Sequence, residues 1–250
     1  MIMTQQTKLL LVSVAALVVL TFISYAYFFV EIVVFLRVEL PSFQISPTYL
    51  GLLNAGYALV AYTLVGLLWL RIARKIGYPE MYREGVTAKE LVRDPIIIGI
   101  ILGLVLVFFD WIFYTFANSI RLPHPTFPFS LIASASAAIG EEIFFRGLIL
   151  ALWAWVLHQL APGQGKDRIF WFANILAALA FAAGHLPFAV TVLGVENILA
   201  VPPVIIFEIF LLNGVVGLVA GRQYYKHGLL AAIAVHFWTN VVWHVVWGLI

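Results

Sequence analysis

The sequence contains no cysteine. Disulfides, thiolate nucleophiles and cysteine-ligated metals are therefore excluded. Charge is scarce as well. Only 10% of the 250 residues are Asp, Glu, Lys or Arg, against about a quarter in an average soluble domain. What remains is apolar: hydrophobic residues make up 64% of the chain and mean hydropathy is +1.04. No long polar stretch is left for a separate soluble domain, and neither strand alternation nor a soluble repeat is visible. This composition predicts an all-α, polytopic transmembrane helix bundle with the lipid bilayer as its surroundings. The net charge of +2 says little by itself, and no nucleic-acid partner is expected.

Crossing the hydrocarbon core takes about 20 apolar residues. Seven stretches qualify, at 9–36, 50–70, 95–120, 129–160, 169–195, 201–221 and 228–250. An eighth element at 76–94, IGYPEMYREGVTAKELVRD, is too polar to span and reads as an interfacial helix and loop, so the expectation is about seven spans (7–8). The apolar run at the N-terminus continues to about Phe35 without a convincing small-residue cleavage site, so it reads as a first span rather than a signal peptide.

The basic residues set the orientation. With the N-terminus in the cytoplasm, Lys8, Arg71, Arg74, Lys75, Arg83, Lys89, Arg93, Lys166, Arg168, Arg222 and Lys226 lie inside. Only Arg37 and Arg121 lie outside. That bias follows the positive-inside rule and predicts a cytoplasmic N-terminus and a C-terminus outside; the expected location is multi-pass in a prokaryotic cell membrane.

Against this background, IGEEIFFRG at 139–147 is out of place. A charge at the bilayer centre costs about 2.5–3.5 kcal/mol on insertion scales, and here Glu141, Glu142 and Arg146 fall within six positions. Glu142 and Arg146 are i,i+4 neighbours on a helix, while Glu141 points about 100° away. One Glu–Arg pair alone would read as a salt bridge that locks the bundle; the second acid is what suggests chemistry. The preceding ASASAAIG, with Ala133/Ala137 and Ser136/Gly140 four apart, permits close helix approach.

Two further spans carry isolated polar groups. In FAAGHLPF, His185 stands in an apolar stretch just before Pro187. By itself such a histidine is as often a hydrogen-bonded packing residue as a functional one. In HFWTN, His236 and Asn240 share one helix face, with His244 a turn further on. His244 is not expected to be catalytic, and Trp238, Trp243 and Trp247 read as interface or packing aromatics. The acids Glu31, Asp110 and Glu208 could line a cavity or pair with groups such as Asn213.

Taken together, E-E-x-x-x-R, F-x-x-x-H and H-x-x-x-N on three successive spans resemble the CAAX-protease and bacteriocin-processing (CPBP, Abi) intramembrane endopeptidases, including the Rce1-type CAAX proteases. The motif residues are Glu141, Glu142 and Arg146, Phe181 and His185, and His236 and Asn240. The resemblance covers residues 129–250, read as a catalytic core. Residues 1–128 read as N-terminal transmembrane helices without a motif.

The residue types fit hydrolysis. A carboxylate and a neutral histidine can share a water and draw off its proton, and a second histidine with an asparagine one turn away can hold an oxyanion. The resemblance implies the same roles: Glu141 and His185 activate water, His236 and Asn240 hold the oxyanion, and Glu142 and Arg146 brace the site. The expected substrate is a membrane-associated or lipid-modified peptide or protein. No cofactor is expected, because asparagine beside histidine suits an oxyanion hole better than a metal shell. The alternative is a metalloprotease holding zinc through Glu141, His185 and His236. The same fold could also serve a non-catalytic scaffold or immunity-type protein, or a polar-relay transporter. At about 1.5 Å per residue, and with the long fourth helix projecting past the core, the three residues meet in the cytoplasmic half. That reckoning predicts a cavity open to the cytoplasm.

Overall fold

The computed structural model describes residues 3–36, 46–118, 120 and 122–250. Arg37 and Arg121, the two basic residues assigned to the outside, lie outside the described residues. Among the described residues, seven helices are long and apolar enough to cross a membrane: Gln5–Tyr27, Pro47–Ile76, Lys89–Ala117, Phe129–Leu160, Lys166–Leu193, Pro203–His227 and Leu229–Leu249. The all-helical architecture and the seven spans read from the sequence are both present.

The described residues form ten α-helices: α1 (Gln5–Tyr27), α2 (Phe29–Leu36), α3 (Pro47–Ile76), α4 (Asp94–Phe113), α5 (Phe129–Glu141), α6 (Ala151–Leu160), α7 (Lys166–Ala183), α8 (Leu186–Leu193), α9 (Pro203–His227) and α10 (Leu229–Asn240). Local chemistry sets their ends. The Ser46 hydroxyl accepts from the Tyr49 N–H ahead of Pro47, so α3 starts earlier than its apolar run. Arg71 and Arg74 end that run without ending the helix, which continues to Ile76 and stops at left-handed Gly77. Pro187 separates α8 from α7.

The polar stretch after α3 is not an interfacial helix. Residues 77–88 form an ordered loop, and Lys89–Arg93 is a π-helical turn running directly into α4. The loop bonds to several of the helices around it. The Gln6 side chain of α1 accepts from the Met81 N–H at 3.0 Å and donates to the Tyr82 carbonyl at 3.1 Å. The Glu80 and Met81 carbonyls accept from the Leu229 and Leu230 N–H groups at 3.0 and 2.9 Å. Those are the donors that the start of a helix leaves without partners, so the loop caps α10. The Lys166 ammonium at the start of α7 donates to the Gly77 carbonyl. Beneath this cap, a buried cluster that includes Trp69, Leu70, Met81, Ile143, Leu150, Phe170, Tyr224 and Leu229 fills the bundle at its basic end.

α10 is pressed against α4 through two glycines four residues apart. A Cβ on Gly99 would stand 2.5 Å from the Val235 carbonyl oxygen, and one on Gly103 would stand 2.5 Å from Val242 Cβ. The Thr239 hydroxyl donates to the Gly99 carbonyl at 3.2 Å. This is small-residue packing as used in membranes, and it fixes the back of the helix that carries His236 and Asn240. Gly99→Ala is expected to destabilise the protein by about 1–3 kcal/mol through overpacking, read as a lower thermal midpoint in detergent. Gly56→Ala, whose Cβ would meet nothing within 4 Å, is expected to leave the midpoint unchanged. Equal midpoints for the two variants would contradict the close α4–α10 contact.

Candidate active site

The helix of the E-E-x-x-x-R motif changes its winding within the motif. α5 ends at Glu141, and Glu142–Leu150 is π-helical. The span of the H-x-x-x-N motif does the same: α10 ends at Asn240, and Val241–Val246 is π-helical. The wider i→i+5 turn re-aims side chains relative to an α-helix and recurs at functional sites.

The two adjacent glutamates lie in different surroundings. Glu142 is fully buried, whereas the Glu141 side chain keeps 33% of its exposure. The Arg146 Nη1 lies 3.1 Å from Glu142 Oε1, the predicted i,i+4 pair. Its N–H groups are not aimed well enough to count as hydrogen bonds, and Glu142 Oε2 has no hydrogen-bond partner. Charge and ring contacts therefore hold the pair. The same Glu142 oxygen lies 2.8 Å from His236 Nδ1. Because this oxygen also faces a guanidinium, it is a carboxylate acceptor, so His236 Nδ1 carries the proton and Nε2 faces Glu141 Oε2 at 3.9 Å. That gap is too long for a direct hydrogen bond, yet both atoms can touch one water.

His185 has its tautomer set in a similar way. Its Nδ1 lies 2.8 Å from the Phe181 carbonyl. A carbonyl only accepts, so Nδ1 bears the hydrogen and a neutral ring keeps its lone pair on Nε2. The Phe181 ring ties the parts together. It lies under the Arg146 guanidinium at 4.3 Å and makes edge contacts with His185 at 4.9 Å and His236 at 5.6 Å. The sequence reading recorded Phe181 as a motif letter without a role, and an aromatic in an apolar span gives no signal that it is a junction.

Glu141, His185, His236 and Asn240 line one enclosed cavity of about 150 Å³ with otherwise mainly apolar walls. Glu142 and Arg146 stand behind this wall. His244 and Asn213 also reach the cavity; Asp110, Glu208 and Glu31 do not. Asp110 instead accepts from the Trp247 indole at 3.1 Å. His244 Nδ1 is 3.2 Å from His124 Nδ1, and burial pushes the His124 imidazole down to about 4, so it stays neutral. Among the described residues, no three His, Asp or Glu side chains come together as a group able to hold a metal ion. Glu141, His185 and His236 thus share a cavity without forming the ligand cluster that the zinc alternative needs.

A second, more open cavity of about 540 Å³ lies on the other side of Glu141, between α1, α2, α3 and α5. Of the small-residue run before the motif, Ala133, Ser136, Ala137 and Gly140 line this cavity, so half of the run leaves space rather than closing on a neighbour. From Glu141 the enclosed cavity extends toward Leu122, Pro123 and Leu193, and the second cavity toward Pro125 and Leu36. The expected opening toward the basic end is therefore corrected. Helix-end distances gave the depth of the residues but not the location of filled space, and the cap loop and the cluster around Trp69 occupy the basic end.

Residues 123–242 match the family model described as type II CAAX prenyl endopeptidase Rce1-like. Neither curated proteins nor solved structures yield a match.

The two glutamates are expected to respond differently to neutralisation. Glu142→Gln leaves the Arg146 guanidinium buried without its counter-charge, a class of change that costs about 3–5 kcal/mol. Thermal unfolding in detergent should show a clearly lower midpoint for Glu142→Gln and little change for Glu141→Gln. Equal midpoints would mean that the two carboxylates do not divide structural and cavity-facing roles.

Proposed function

We propose, on the match of residues 123–242 to the type II CAAX prenyl endopeptidase Rce1-like model, that the chain is an intramembrane endopeptidase that hydrolyses a peptide bond in a membrane-associated or lipid-modified peptide. The observation that carries this reading is the grouping of Glu141, His185, His236 and Asn240 around one cavity, with a buried Glu142–Arg146 pair bracing it from behind.

In this mechanism a water rests against Glu141, and His185 Nε2 accepts from it. Glu141 takes a proton as the water oxygen adds to the carbonyl carbon. Asn240 Nδ2 and His236 donate to the oxyanion that forms. His236 Nδ1 is committed to Glu142, so this donation comes from Nε2 and uses the imidazolium form. Glu141 returns its proton to the nitrogen as the C–N bond breaks, leaving a carboxylic acid and an amine. Largely apolar walls exclude bulk water and strengthen each of these contacts. No metal takes part in this scheme; zinc on Glu141, His185 and His236 is the alternative. The basic residues support a cytoplasmic N-terminus, and a prokaryotic cell membrane is the location proposed for the chain.

Hydrolysis of an S-farnesylated CAAX peptide by the purified full-length chain tests the scheme. Glu141→Gln is expected to lose roughly 10²–10⁴-fold, as for removal of a general base, and Asn240→Ala roughly 10²–10³-fold, as for an oxyanion donor. Activity should survive excess chelator. Near-normal turnover by folded Glu141→Gln would contradict the proposal, and reversible loss on chelation restored by one equivalent of zinc would replace the metal-free scheme.

A further inference from the structure

Gln6, in the first turn of α1, pairs with backbone far along the chain. Its side-chain oxygen accepts from the Met81 N–H at 3.0 Å and the Tyr82 N–H at 3.3 Å, and its nitrogen donates to the Tyr82 carbonyl at 3.1 Å. Met81 reaches the other way as well. Its carbonyl accepts from the Leu230 N–H at 2.9 Å, and its side chain is fully buried in the cluster around Trp69. The Arg83 N–H extends the contact by donating to the His227 carbonyl at 2.9 Å. The loop lies so close to the turn between α9 and α10 that a Cβ on Gly228 would stand 2.4 Å from Tyr82 Cα. Gly228 has φ +104°, which also favours glycine. With nothing between loop and turn, a shift of Met81 and Tyr82 is passed directly to the start of α10.

Three points hold α10. At its start, the Glu80 and Met81 carbonyls accept from Leu229 and Leu230. Further on, His236 Nδ1 meets Glu142 Oε1 at 2.8 Å. At its end, the Thr239 hydroxyl, beside Asn240, donates to the Gly99 carbonyl at 3.2 Å. About 9 Å of helix separates Leu230 from His236. Releasing the first point lets the helix tilt about the other two, and His236 and Asn240 turn with it. Oxyanion donors work from about 2.7–3.1 Å, so small tilts matter. A misplacement of about 1 Å caused from far away can cost about 10²-fold in rate.

We propose that Gln6 is a positioning residue for the oxyanion pair: through Met81 and Tyr82 it sets the start of α10, and with it the aim of His236 and Asn240. The first span carries no motif, yet it contributes to the site in this way. The inference rests on the endopeptidase reading and adds a residue from the other half of the chain.

Two variants of the full-length protein test the link. Gln6→Leu removes all three bonds at similar size. Gln5→Leu is the control, because Gln5 meets only the Tyr82 hydroxyl, at 3.2 Å, and leaves the loop backbone alone. Amide exchange read by mass spectrometry needs no turnover. In Gln6→Leu, exchange at Leu229 and Leu230 should speed up roughly tenfold, as for about one lost hydrogen bond, and in Gln5→Leu it should match wild type. With an S-farnesylated CAAX peptide, kcat of Gln6→Leu should fall roughly tenfold with KM little changed, less than the cost of a displacement of about 1 Å. A smaller folded fraction would also lower kcat, so the loss is measured again in an Asn240→Ala background. There it should shrink to about threefold or less, because one of the two donors that α10 aims is gone. Equal losses in both backgrounds would overturn the positioning role, as would a wild-type kcat in Gln6→Leu protein with accelerated exchange. Exchange at the wild-type rate in Gln6→Leu would overturn the link through the loop. If wild type does not hydrolyse the peptide, the endopeptidase reading fails, and exchange alone still decides whether Gln6 holds the start of α10.

Discussion

The buried cluster of Glu142, Arg146 and His236 is the constraint around which the bundle is arranged. A carboxylate with no solvent exposure is costly in any protein interior and more so within a membrane span. It persists because one oxygen meets both a guanidinium at 3.1 Å and an imidazole N–H at 2.8 Å. These contacts join the fourth span to the seventh. The Phe181 ring, between Arg146 and both site histidines, joins the fifth. The sixth span approaches through Gly217, where a Cβ would stand 2.8 Å from Ala178 and 3.4 Å from Arg146 Nη2. Four spans thus depend on one ion cluster, and the proposed reactive groups are displaced from it by one residue or one ring nitrogen.

That displacement links stability to chemistry. Glu142 is consumed by structure, so its neighbour Glu141 faces the cavity. His236 gives Nδ1 to structure and leaves Nε2. His185 gives Nδ1 to the Phe181 carbonyl and likewise leaves Nε2. Both histidines thus have one ring nitrogen fixed and one free, an arrangement suited to a preorganised site. The capping loop and the glycine contact between α4 and α10 serve the same end at longer range, because both fix the helix that carries His236 and Asn240.

The seven spans were legible because hydrophobic run length is a strong signal, and the errors came where another signal governed. Helix α3 outran its apolar stretch because Ser46 and Pro47 start it early and arginines continue it. The loop after it reads as polar and interfacial, yet its carbonyls cap α10, a pairing that only the fold reveals. The motif residues were legible because charge in a span is expensive and needs a reason. The junction role of Phe181 was not, since aromatics are common in spans and its contacts depend on packing between distant helices. The side on which the cavities open was misjudged for the same reason. It follows from where large side chains such as Trp69, Phe170 and Tyr224 fill the bundle, and helical rise carries no information about that.

The central claim is that Glu141 activates a water and does not itself attack the substrate. A single turnover in oxygen-18 water, with enzyme in excess over an S-farnesylated CAAX peptide, distinguishes the two by mass spectrometry of the products and of the digested protein. Direct attack by water predicts one heavy oxygen in the newly formed carboxylate of the cleaved peptide and none in Glu141. Heavy oxygen in the Glu141 side chain, with an unlabelled peptide product, would show an acyl intermediate on that carboxylate and would contradict the account.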